Sequence, residues 1–227
     1  MKNFYRIILL LLVFIFISTF NPTQTNIALK KKYNIFKIQE IKIINNFLIN
    51  KKEIEQRIQD IYEKNIFLIS KKDINKSLKN IDFLNNISVK KKYPNTIIIK
   101  VFETKPLAVL FKNKKKYFID NFANLILFRN DINLNNLPKI IGDNAEDTFL
   151  IFLKQLNSND FPVEKIETFY YFQIDRWDVQ LFDNKIIKFP NTEVKKAIVK
   201  AINLLNRKDF EFYKIIDLRL DGKVIVE

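Results

Sequence analysis

The chain has no cysteine and no histidine, and only two glycines, Gly142 and Gly222, among 227 residues. Without cysteine there is no disulfide framework and no thiolate metal site. Without histidine the commonest general base, the commonest metal ligand and every imidazole-based triad are gone. Two glycines cannot assemble a GxxxxGK[ST] or GxGxxG phosphate cradle. Carboxylates alone can hydrolyse glycosides, so Asp175 with Asp178, and Glu164 with Glu167, are the acid pairs to weigh. Solvated turns and strand edges account for such residues far more often. The expectation is a protein that is not an enzyme, with no catalytic residue, cofactor or metal.

Lysine, asparagine, isoleucine and phenylalanine are abundant instead. The net charge is +14, but the lysines are scattered along nearly every segment. They read as a solvated basic surface rather than a phosphate-binding stripe, so no nucleic-acid partner is expected. Apolar residues make up 48% of the chain, and 22 phenylalanines supply much of the volume for buried cores.

After MKNFYR, the run from Ile7 to Phe20 is apolar on every side and carries no charge. It is shorter than the roughly 20 residues a spanning helix needs, but the uncharged sequence continues beyond Phe20. The following STFNPTQTN lacks the small-residue cleavage pattern of a secretory signal. The reading is a cytoplasmic tail over 1–6, a transmembrane anchor over 7–23 and a linker over 24–34. Lys2 and Arg6 precede the anchor while Lys30, Lys31, Lys32 and Lys37 follow it, so charge alone leaves its orientation open.

From Phe36 the spacing becomes regular. FKIQEIKII alternates as a strand with Phe36, Ile38 and Glu40 on one face. Asn50 with Glu53, and Ser70 with Asp73, each pair a cap with an acid three residues on. The two helices they open carry Ile54, Ile58, Ile61 and Ile74, Leu78, Ile81 at i, i+4, i+7. Between them, Asn65 to Ile69 is an apolar connector. A hairpin follows, turning at Tyr93-Pro94, with Ile97, Ile99 and Val101 on one face of its second strand. Two one-faced helices must cover one side of a three-stranded sheet.

This strand-helix-helix-strand-strand order is similar to a POTRA domain. It carries Asn-Ile-Phe after the first helix, Tyr-Pro-Asn-Thr-Ile at the hairpin and Glu-x-x-Pro-x-Ala (Glu103, Pro106, Ala108) at its exit. It resembles most the POTRA domain of the bacterial FtsQ and DivIB cell-division family. The resemblance implies an α+β protein: an N-terminal transmembrane helix, a βααββ POTRA domain over 35–104, then a mixed β-sheet domain with flanking helices over 105–227.

In that second region Pro106 ends the hairpin's pairing and redirects the chain into a new sheet. Strands are expected at 107–111, 116–120, 124–128, 163–172, 177–182 and 185–189. Asn124 is the residue expected to take a left-handed turn conformation. Leu137-Pro138 to Gly142 leads into a helix over about 145–156. Thr192 or Asn191 is expected to cap a last helix bearing Val194, Ile198, Ala201, Ile202 and Leu205. Trp177 reads as core. Arg176 and Asp217 are expected to pair, leaving Arg219 to face a partner. The alternative for the whole chain is a POTRA-containing protein of outer-membrane assembly or secretion, which usually carries a barrel or several repeats.

Lys223 to Glu227 read as a terminal strand after a turn at Asp221-Gly222. An uncovered strand offers unpaired main-chain groups on which a partner can add a strand. An innocuous edge is the other reading. The resemblance implies a scaffold that recruits FtsB- and FtsL-type division proteins there and binds other divisome proteins through its POTRA domain. It also implies residence in the inner membrane, with the amino terminus cytoplasmic, the bulk periplasmic and enrichment at the septum. The residues it carries over as partner-binding are Arg219, Leu220, Asp221, Gly222, Lys223 and Val224, with Arg176 beside them.

Overall fold

A computed structural model describes residues 2–19, 36–132, 134 and 137–227. It opens with helix α1, Lys2–Thr19. The helix therefore begins inside the stretch read as a tail, and residues 20–23 of the expected anchor lie outside the described residues. At about 1.5 Å per residue it is roughly 27 Å long, against about 30 Å of hydrocarbon. Among the described residues no helix is long and apolar enough to cross a membrane.

The chain divides into two compact units, residues 1–81 with 86–102, and residues 82–85 with 103–227. In the first, β1 (Glu40–Ile44), α2 (Lys51–Arg57) and α3 (Lys71–Ser77) precede the hairpin β2 (Leu84–Lys92) and β3 (Thr96–Glu103). The sheet order is β1-β3-β2, with β1 parallel to β3. Two helices between β1 and the hairpin give the chain the length a parallel pairing needs. The helical spacing holds: Ile54, Ile58, Ile61, Ile74, Leu78 and Ile81 are all buried, as are Ile97, Ile99 and Val101.

The two caps differ. Ser70 and Asp73 form a complete capping box. The Asn50 side chain accepts the Lys52 N–H, and Glu53 turns to Arg57 instead of closing a box. The phase of the first strand also differs from expectation. Ile38 is buried, but Ile41 and Ile43 face the core while Glu40 is exposed. Residues 38–40 lie before the ladder or at its first rung, so a count of two carried through them changes face. In the connector, Ile66 and Ile69 are buried while Phe67 and Leu68 project outward.

The second unit is built on a nine-stranded mixed sheet. Its strands are β4 (Pro106–Lys112), β5 (Lys115–Asp120), β6 (Leu125–Leu127), β7 (Lys139–Ile141), β8 (Ile166–Phe172), β9 (Arg176–Leu181), β10 (Ile186–Lys188), β11 (Ile215–Asp217) and β12 (Ile225–Val226). Their spatial order is β12-β11-β10-β9-β8-β7-β4-β5-β6. Helices α4 (Glu146–Ser158) and α5 (Val194–Leu205) bury Phe149, Phe152, Leu156, Ala197, Ile198, Ala201 and Leu204 in one cluster. The same cluster holds Leu110, Ile140, Phe169, Val179, Ile187 and Ile216 from six strands. Both helices thus cover the same face of the sheet. Trp177 is core, stacked on Phe152 with ring centroids 5.3 Å apart.

Pro106 opens the new sheet three residues after β3 ends, and a bulge between Pro106 and Ala108 follows it. Gly142 ends β7 at φ 138°, where a Cβ would stand 2.4 Å from the Tyr171 carbonyl oxygen. No other residue type fits there. The turn after β5 has its left-handed residue at Ala123 (φ 62°), not Asn124. It is held by the Asp120 carboxylate, which accepts the N–H groups of Phe122 (2.8 Å) and Asn124 (2.9 Å). Neither Asn191 nor Thr192 caps α5. Its cap position is Glu193, at φ 53° and without a side-chain cap bond.

Candidate partner-binding edge

Alternation along β9, β10 and β11 sends Trp177, Val179, Ile187 and Ile216 under the helices. Arg176, Asp178, Lys188 and Asp217 therefore share the opposite face. Asp178 lies directly across from Lys188, and Lys188 across from Asp217. Arg176 places Nε 3.4 Å from Asp178 Oδ1 and stacks its guanidinium on Phe172, 4.0 Å from the ring centroid. At the other end Arg219 Nε donates to both oxygens of Asp217 at 2.9 Å, and Nη2 donates to Oδ2 at 2.5 Å. The Arg219 backbone N–H adds a bond of 3.0 Å to Oδ1. The result is a row of alternating charge, Arg176, Asp178, Lys188, Asp217, Arg219.

This corrects one expectation: Arg176 pairs with Asp178, and Arg219 with Asp217. Sequence separation explains the error. Arg219 sits just past the end of β11, where the extended chain folds the side chain back onto the carboxylate two residues earlier. The two acids titrate in opposite directions. The hydrogen bonds from Arg219 hold the Asp217 carboxyl below its ordinary range. Burial pushes Asp178 up despite the attraction of Arg176 and Arg219. Two of the other acids weighed from sequence also have partners. Asp175 accepts the Tyr171 hydroxyl at 2.9 Å and Glu167 meets Lys139 at 3.2 Å.

Past Arg219 the chain bends at Leu220, turns through Asp221 and Gly222 (φ 70°) and runs extended into β12. Leu220 is exposed, while Val224 packs against the core. Lys200 of α5 donates to the Lys223 carbonyl at 3.3 Å, tying the turn to the helix. The segment and α5 enclose a shallow cleft of about 100 Å³. The strand itself is Ile225–Val226, so of the six residues expected here only Val224 adjoins the ladder.

β12 ends the sheet: β11 lies on one side of it, and no strand among the described residues lies on the other. Glu227 and Ile215 exchange N–H···O bonds of 3.2 and 3.1 Å. Antiparallel pairing alternates inward and outward groups along a strand. With Glu227 and Ile225 turned to β11, the N–H and C=O groups of Val226 and Val224 point outward. Val226 was missing from the sequence-derived residues. The signal for it was the β-branched run Val224-Ile225-Val226, whose inward and outward positions only the register with β11 assigns.

Comparison with known proteins places this geometry. Residues 36–104 match the POTRA domain, FtsQ-type, and residues 108–219 match the C-terminal domain of cell division protein FtsQ/DivIB. The chain is 27% identical over 143 residues to the cell division protein FtsQ of Rickettsia conorii, covering 62% of this chain and 53% of that one. It is 26% identical over 134 residues to FtsQ of Caulobacter vibrioides, covering 58% and 44%. The chain thus spans about half the length of the curated relatives it matches. A likeness to the major extracytoplasmic domain of DivIB from Geobacillus stearothermophilus covers 47% of this chain and 99% of that one. At 14% identity and a TM-score of 0.32 it carries no argument. The two matched segments together take in both folded units, and the chain belongs to the FtsQ/DivIB family of cell division proteins, in its alphaproteobacterial form.

Proposed function

We propose that this protein is a non-enzymatic single-pass scaffold of the division machinery. The segment over 7–23 anchors it in the inner membrane with the amino terminus in the cytoplasm. Its folded units lie outside, at the septum. It captures FtsB- and FtsL-type partners by β-strand addition and thereby helps control septal peptidoglycan synthesis. One observation carries this reading. The outward main-chain groups of Val224 and Val226 stand on an uncovered edge, beside an exposed Leu220 and Ile225. Such an edge supplies affinity through the backbone, and neighbouring side chains supply specificity. The charge row fixes the end of β11, from which the turn to β12 departs, so Arg176 and Arg219 act here by holding the edge in register.

Val226→Pro tests it. Proline removes one outward donor but no bond to β11, and an edge strand tolerates it. Capture of an FtsB-type partner should fall while the denaturation midpoint stays put. Unchanged capture would refute strand addition. Leu220→Pro is not an equivalent test, because Leu220 lies in the bend and has no ladder donor to lose.

A further inference from the structure

The buried hydrophobic side chains of the first unit are all aliphatic, and three of its aromatic rings meet at one place on its surface. Phe67 lies 5.0 Å from Phe36 on one side and stacks at 5.0 Å on Tyr93 on the other. Phe67 is 56%, Leu68 79% and Tyr93 54% exposed. This display is built into the backbone. Asn65 Oδ1 accepts the Phe67 N–H at 2.9 Å, and the Asn65 carbonyl accepts that of Leu68 at 3.0 Å. Ile66 and Ile69, both buried, pin the turn on either side. The Ile66 N–H also bonds the Phe36 carbonyl at 2.9 Å. Phe67 and Leu68 are therefore held out as a rigid apolar tip.

Lys91 Nζ lies 3.4 Å from the Phe67 carbonyl oxygen, and Lys90 and Lys92 flank Lys91 at the end of β2, just before Tyr93. The acids nearest in sequence are occupied: Glu63 pairs with Lys37 at 3.3 Å, Asp60 with Lys64 at 2.9 Å, and Asp73 is held in the Ser70 capping box. Phe36 is separated from the end of α1 by residues 20–35 alone. At 3.3–3.6 Å per residue that tether reaches at most about 60 Å.

We infer that Phe67, Leu68 and Tyr93, with Lys90, Lys91 and Lys92, form an interfacial patch that docks the first unit on an anionic lipid surface. Aromatic rings and an apolar tip suit the headgroup boundary, while lysines beside them add attraction to acidic lipids. The inference rests on the membrane anchoring proposed above.

The absence of cysteine makes the test direct. The full chain is reconstituted in phosphatidylcholine vesicles with or without phosphatidylglycerol, carrying one environment-sensitive label at Leu68→Cys or, separately, at Leu10→Cys. Lipid-borne spin labels then report depth. Leu68 should be quenched at headgroup level in the acidic vesicles, and most of that quenching should be lost in Lys91→Glu/Lys92→Glu, in Phe67→Ser and at high salt. No quenching at Leu68 overturns the patch. So does quenching that survives those substitutions, since the label alone would then be inserting, and so does quenching displaced by a soluble protein partner. The Leu10 label reads the anchor independently. Deep quenching there with none at Leu68 sinks the patch and spares the anchoring, whereas the reverse spares the patch and sinks the anchoring.

Discussion

The two folded units solve the same problem with different materials. The first buries isoleucine almost alone, from Ile38 and Ile41 through Ile54, Ile58, Ile74, Ile97 and Ile99, with Leu78 and Val101. The second packs rings: Phe149, Phe152, Phe161, Phe169, Phe189 and Trp177 are all buried and in mutual contact. The first is held by local devices, above all the box of Ser70 and Asp73. The second starts both its helices without a side-chain cap and relies on a sheet that spans its whole sequence. With an aliphatic core filled by short-range periodicity, Phe67 and Tyr93 of the first unit stand exposed.

Three measurements sharpen that contrast. Phe152→Ala removes the ring at the centre of the second core and should cost about 3–5 kcal/mol of stability in a denaturant titration, whereas Ile58→Val in the first unit should cost about 0.5–1.5. Comparable losses would erase the distinction. Asp217→Asn leaves Arg219 without its carboxylate and should cost about 1.5–3 kcal/mol at neutral pH. The sign with pH is set by the direction of the shift. Asp217 titrates below its unfolded value, so its contribution is present above the ordinary carboxylate range and fades as the pH falls through the folded value. The substitution should therefore flatten the acid limb of the stability profile. Asp178 acts oppositely. The fold keeps its proton where the unfolded chain has lost it, so Asp178 lowers stability as pH rises through that window. The smallest effects concern caps. Ser70→Ala should cost about 1 kcal/mol, while Thr192→Ala should change the midpoint hardly at all, since Thr192 caps nothing. A clear loss at Thr192 would contradict the uncapped start of α5.

How far these features could be read beforehand follows the same division. The helices of the first unit, their buried faces and the Ser70 box were readable because every signal lies within four residues. The phase of β1 was not, because Ile38 sits outside the ladder that sets the face of Ile41 and Ile43. In the second unit seven of the nine strands and the burial of Trp177 were readable from alternation. The three-residue strands β7 and β11 were not, and residues 163–165 form a 3-10 turn ahead of β8. The start of α5 was misplaced because packing of Ala197, Ile198 and Ala201 holds a helix that no cap announces. Asn124 was expected in the left-handed position that Ala123 occupies, because the Asp120 carboxylate, four residues upstream, decides the turn. The edge at Val226 needed the register with Ile215, and the pairing of Arg176 with Asp178 needed the face that both share.

The parallel pairing of β1 with β3 has a mechanical consequence. The chain enters the first unit at the start of β1 and leaves it from the far end of β3, two strands that run side by side in one direction. Tension between those points drags the neighbours past each other along their length. All five residue pairs, from Glu40–Thr96 to Ile44–Lys100, must then yield together rather than peel one by one. The unit is built to resist force applied between its two ends.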